Sequence, residues 1–289
     1  MWRVSEVRAA RMMCRALAAP AVVAAMTVGF SVGDVSTALA KKAATTSSSR
    51  DSSGQENLQW SWTLAPGKTI EIKGVNGAIH AERATGSKVE VRAWKHAHHS
   101  DPDEVKVEIV EHAGGITVCA VYPGYGNDCT PGEGGHSSTH NNDVVVDFEV
   151  KVPSGVGFTG RTVNGSVEAE SLEGPVEAHT VNGHVDVSTT RVAVATSVNG
   201  SITARLGSMA GRDRVTFHTV NGSITLELPA GTNADLSART VNGSIDTDLP
   251  IMVQGSMSRH KIEGTIGKGG VDLDVETVNG SIRLRKTSI

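Results

Sequence analysis

Thr162-Val163-Asn164-Gly165-Ser166-Val167-Glu168-Ala169-Glu170 is followed at residue 180 by Thr180-Val181-Asn182-Gly183-His184-Val185-Asp186-Val187. The tripeptide Val-Asn-Gly occurs seven times, at Asn76-Gly77, Asn164-Gly165, Asn182-Gly183, Asn199-Gly200, Asn221-Gly222, Asn242-Gly243 and Asn279-Gly280, each preceded by valine. The last six copies start 18, 17, 22, 21 and 37 residues apart. A motif recurring at such a period marks a structural repeat rather than a catalytic centre. The final gap is close to two ordinary ones, which predicts a degenerate repeat near residues 262–270.

Each tripeptide is flanked by short alternating runs, such as Val176-Glu177-Ala178-His179 before and Ser223-Ile224-Thr225-Leu226-Glu227-Leu228 after. Apolar residues at every second position give a half-buried strand, because successive strand side chains point to opposite faces. Asn-Gly supplies the backbone freedom, including positive φ, that a sharp corner demands. A second corner lies between copies, at Leu172-Glu173-Gly174-Pro175 or Pro229-Ala230-Gly231-Thr232. The unit is therefore strand, corner, strand, corner, in an all-β fold.

Two architectures satisfy this unit. In a β-solenoid each unit is one coil, and Asn164, Asn182 and Asn199 stack above one another. In a hairpin meander each Asn-Gly is a two-residue turn. The meander would pair Arg161 with Glu168, Arg239 with Asp246, Glu276 with Arg283 and Asp274 with Arg285, all of opposite charge. Near-constant period and identical corner chemistry suit the solenoid, whose coils must superimpose.

The Thr/Ser-Val-Asn-Gly-Ser-Ile/Val signature, led into by Val144-Val145-Val146-Asp147-Phe148-Glu149-Val150-Lys151-Val152-Pro153, resembles the bacterial putative-adhesin family, also called toast-rack. The similarity runs from about Leu58 to the C-terminus. It implies a β-helix-like stack of short strands on secreted or membrane-tethered envelope proteins, with no catalytic residues to transfer. The chain departs from that pattern in having no obvious membrane segment beside the repeats.

Residues 1–40 are predicted to be a signal peptide: Arg3, Arg8, Arg11 and Arg15 precede a mostly apolar stretch, and Ala38-Leu39-Ala40 is a small-x-small cleavage site. Residues 41–57, rich in Ser and Thr, read as a flexible linker. Residues 58–289 read as the β-repeat domain, less regular over 58–157 and regular over 158–289. Cleavage would leave 249 residues with 23 basic and 29 acidic side chains, a net charge of −6. A mildly acidic exported chain argues against a nucleic-acid partner, and nothing in the mature sequence is long and apolar enough for a helical membrane span. Export would place the protein in the periplasm, on the cell surface or in the medium. The mature chain has two cysteines, Cys119 and Cys129, and an even pair in an oxidising compartment invites a disulfide.

Candidate chemistry is sparse. Glu168/Glu170, Asp246/Asp248 and Asp272/Asp274 each project from one strand face about 7 Å apart, a spacing an inverting glycosidase uses. Alternation alone also puts carboxylates outward, and no aromatic residues flank these pairs. Gly269-Gly270-Val271-Asp272 approaches a calcium-binding repeat but lacks its third glycine. His96, His98, His99, His112, His136 and His140 form a histidine-rich region, most simply a solvated loop. No Gly-x-Ser-x-Gly elbow or phosphate loop is present. The sequence therefore predicts no cofactor, metal or catalytic residue. It predicts an exported non-enzymatic repeat that presents an extended surface to an envelope protein, a glycan or a second copy. The alternatives are a carbohydrate-active β-helix and an envelope-stress or signalling module.

Overall fold

The computed structural model describes residues 45–50, 56–124, 126–133, 141–253 and 257–287. The predicted leader lies outside them, as do His136 and His140. Among the described residues, two eleven-stranded sheets enclose one continuous hydrophobic core. Each regular coil contributes a strand to one sheet, turns through Thr/Ser-Val-Asn-Gly, and contributes a strand to the other. Val176–His179 thus leads into Val185–Thr189, and Ala193–Thr196 into Ile202–Leu206. Neighbouring coils pair in parallel and in register, so Val167, Val185, Ile202 and Ile224 form one inward row, and Ala169, Val187, Ala204 and Leu226 the next. This is the β-solenoid of the sequence reading. Val167, Ala169, Val185, Val187, Ile202, Ala204, Leu226, Leu236, Ala238 and Val275, apolar positions of the alternating runs, are all buried.

The meander is overturned, and its charge pairs with it. Arg161 instead meets Glu71 and Glu177, Arg239 meets Glu263, and Arg285 meets Asp246 and Asp248. Ion pairs run along the stack axis because parallel in-register strands bring like positions of adjacent coils together.

Stack order departs from sequence order. The last coil, Val271–Asn279 with Ile282–Lys286, is inserted between the coil of Asn221 and the coil of Asn242. The charged strand Ile282–Lys286 is therefore internal, paired on both sides. The outer strand of that sheet is Ile245–Thr247. Residues 262–270 are not a degenerate repeat either. Lys261–Ile266 runs antiparallel on Ala234–Asn242 and carries Ile251–Val253 on its far side. This reversal occupies the edge of Ala234–Asn242, which would otherwise offer unpaired backbone groups to another chain.

The opposite end is closed in the same manner. Val89–His96 and Glu56–Trp62 add antiparallel strands to the first sheet, and Lys106–His112 folds back on Gly115–Val121 in the second. Residues 45–50 of the segment read as a linker form a strand here. Thr45–Arg50 pairs antiparallel with Glu56–Trp62, whose edge offers a full row of backbone partners to a Ser/Thr-rich chain.

Candidate functional site

The corner signature has a reason for each residue. Its Thr or Ser is buried and donates to the glycine carbonyl of the adjacent coil: Thr180 to Gly165 at 2.8 Å, Ser197 to Gly183 at 3.0 Å, Thr219 to Gly200 at 2.8 Å and Thr277 to Gly222 at 2.8 Å. The asparagines form a ladder in the order 76, 164, 182, 199, 221, 279, 242. From Asn164 onward, each Nδ2 donates to the Oδ1 of the asparagine before it in that order, at 2.8 Å. Glycine is required by space more than by φ. At Gly183, Gly200, Gly222 and Gly243, φ lies outside the left-handed region, yet a Cβ would stand 1.8–2.1 Å from the glycine carbonyl of the coil beside it. The valines Val181, Val198, Val220 and Val241 stay exposed beside the ladder. The result is a ridge of amides and methyls along the stack.

The outer faces of the sheets carry the carboxylates. Asp246 and Asp248 are answered by Arg285, at 2.7 and 4.0 Å. Asp272 lies 3.2 Å from Arg214, and Asp274 lies 3.7 Å from His218. The third pair is different. Glu168 faces His80 at 3.3 Å, and Glu170 lies beside it. Trp60 and Trp62 are buried in the core, so neither presents a ring face for sugar stacking.

The second sheet bears a charged cluster beneath the disulfide loop. Cys119 and Cys129 are bonded. The loop is tied down where Lys73 donates to the Thr130 carbonyl and Gly132 N–H donates to Glu71 at 2.9 Å. Glu71 is buried, accepts from Thr117 at 2.8 Å, and sits 3.4 Å from Arg161. Tyr122 closes the start of the loop by donating to the Val144 carbonyl at 2.7 Å, and burial pushes its hydroxyl up to about 12. Sequence reading missed this cluster. Glu71 and Arg161 lie on coils that are adjacent in space but 90 residues apart in the chain, and no period links them.

Next to Arg161, burial and then the guanidinium charge lower His179 to about 4. Its Nδ1 lies 2.7 Å from Thr196 Oγ1. The unfolded chain takes up a proton near pH 6.5 and the folded one does not, so this contribution to stability is present above about 6.5 and lost as pH falls toward about 4. His179→Gln is expected to remove roughly 1–2 kcal/mol of that acid-side loss, allowing for partial exposure. Calorimetric Tm against pH checks this, and an unchanged slope would exclude His179 as its source.

Among the described residues, the other histidines of the region 96–140 are dispersed. His98 and His99 are exposed, and the N–H groups of Ser100, His99 and His98 converge on Asp143. Those donors hold the Asp143 carboxyl far below its usual range. His96 lies 3.8 Å from Asp147, and His112 lies 3.3 Å from Thr117. They form a capped loop and strand-surface contacts, not one ligand set.

Residues 209–285, which include the corners of Asn221, Asn242 and Asn279, match the Toastrack DUF4097 family. The same corner chemistry continues beyond the matched residues to Asn76, and the stack is continuous through all seven corners. No curated protein sequence matches the chain. Among solved structures, a putative cell adhesion protein from Clostridium sporogenes is 11% identical, covers 79% of this chain and 99% of its own, and has a TM-score of 0.46. A putative adhesin from Bacteroides fragilis is 11% identical, with 80% and 97% covered and a TM-score of 0.33.

Proposed function

We propose that the protein is an exported, non-enzymatic scaffold that holds a cell-envelope partner along the outer surface of its stack. One observation carries this reading: the amide and valine ridge repeats its side chains at every coil, about 4.8 Å apart. Such a surface suits an extended partner that makes many weak equivalent contacts, whose avidity exceeds any single one. An envelope protein, a glycan or a second copy has that form. The disulfide supports an oxidising location, and the leader-like first 40 residues support export. Among the described residues no helix is long and apolar enough to cross a membrane. Against catalysis stands the pairing of Asp246, Asp248, Asp272 and Asp274 with basic side chains of neighbouring strands.

The test is sedimentation of the purified mature chain with washed envelope fractions, alongside a reducing-sugar assay on a panel of polysaccharides. Saturable retention, competed by excess free protein and weakened when Val181, Val198 and Val220 are replaced together by lysine, is the expected result. Absence of retention together with release of sugar ends would overturn the scaffold in favour of an enzyme.

A further inference from the structure

We propose that His80, Glu168 and Glu170 form a binding site for one divalent transition-metal ion of the zinc class on the outer face of the first sheet. The ligand atoms of the three side chains all lie within 4.8 Å of one another. The His80 Nδ1 to Glu168 Oε2 separation is 3.3 Å. Two ligands on one tetrahedral zinc ion, each bonded at roughly 2.0–2.1 Å, stand about 3.3–3.4 Å apart. This pair already has the spacing of a coordination edge. One imidazole with two carboxylates is a mixed donor set. The nitrogen favours zinc and its neighbours over magnesium or calcium, which prefer oxygen alone.

The fold assembles the set without a local motif. His80 lies on Ile79–Arg83, in register with Glu168 on Val167–Leu172, and Glu168 is in register with Asp186 on Val185–Thr189. Just past Ala169 the register slips, so that Leu172 rather than Ser171 faces Thr189. Ser171 adopts a φ of 53° and its N–H donates to Ser188 at 2.7 Å. Glu170 therefore occupies a bulge, an irregularity that re-aims a strand side chain.

Charge marks the site as different from the other carboxylate pairs. Those of Asp246/Asp248 and Asp272/Asp274 have arginine or histidine partners. Among the described residues, Glu168 has only the His80 imidazole as a cationic partner, and Glu170 has none. Asp186 adds a third carboxylate, raised by burial and by the charges of Glu168 and Glu170 despite Arg205 at 3.6 Å. A divalent cation would relieve this repulsion. Three protein ligands leave at least one coordination position for water, toward the cleft lined by His184, Asp186, Ser201 and Thr203.

The site stands whether or not the face binds an envelope partner. It is tested by calorimetric titration of zinc chloride into the chelator-treated mature chain, with magnesium and calcium chlorides as controls. One equivalent of zinc is expected to bind and to raise Tm, with magnesium and calcium at least tenfold weaker. His80→Ala and Glu170→Gln should each weaken zinc at least tenfold, whereas His218→Ala and His99→Ala should not. Glu170 is exposed and the amide is isosteric, so Glu170→Gln keeps the test valid if His80→Ala fails to fold. Cobalt substitution should give visible bands of a nitrogen–oxygen site that are lost in both variants. Absence of stoichiometric zinc binding, or affinity unchanged by Glu170→Gln, overturns the proposal.

Discussion

Gly200→Ala is expected to destabilise the stack by about 3 kcal/mol or more, lowering Tm by roughly 6–12 °C for a domain of this size. A Cβ at this position would stand 1.8 Å from the Gly183 carbonyl oxygen and 2.5 Å from its carbon. Both atoms are backbone, fixed by the ladder bonds Gly183 N–H to Asn199 O at 3.1 Å and Gly200 N–H to Asn221 O at 3.0 Å. Relief would require separating two coils that the Asn182–Asn199 amide bond, at 2.8 Å, also holds together. Gly231→Ala is the control, because a Cβ there meets nothing within 4 Å, and it should move Tm by no more than about 1–2 °C. Calorimetry on the two variants decides the matter. Equal, small shifts would mean that corner glycines serve backbone conformation alone and that the coils are loosely stacked.

That contrast also shows what could be read from the chain and what could not. The period and the alternation give strand, corner and inward row directly, because both are local consequences of strand geometry. The role of each signature residue was partly hidden. Glycine next to asparagine suggests positive φ, but the constraint at Gly200 comes from a carbonyl 17 residues away. The threonine or serine before six of the seven corner valines resembles an ordinary strand residue until its hydroxyl is seen reaching the neighbouring coil. Register between coils was legible only where the period was unbroken. His80 and Glu168 lie 88 residues apart in sequence and side by side in the sheet, separated by an excursion that obeys no repeat. The two terminal reversals were equally invisible, since an antiparallel cap and a degenerate coil share the same alternating pattern.

Val275→Asp is expected to cost about 4 kcal/mol or more, since it places a carboxylate at a position with no solvent exposure and no cationic partner. In register, Val275 lies between Phe217 of one coil and Ala238 of the next. The location of the damage is the sharper expectation. In a solenoid stacked in chain order, the last coil would fray alone and leave its neighbours standing, because each unit contacts only adjacent units. Here the last coil is interior. Ala234–Asn242 joins the body of its sheet only through Val271–Asn279, and Ile245–Thr247 joins its own only through Ile282–Lys286. Opening the inserted coil must therefore release the Asn242 coil and the antiparallel cap Lys261–Ile266 with it. Hydrogen exchange on Val275→Asp should show amides 234–247 and 261–266 losing protection together with 271–286, while 167–206 retain theirs. If 234–247 stayed protected while 271–286 exchanged, the inserted order would be wrong and the last coil would be terminal.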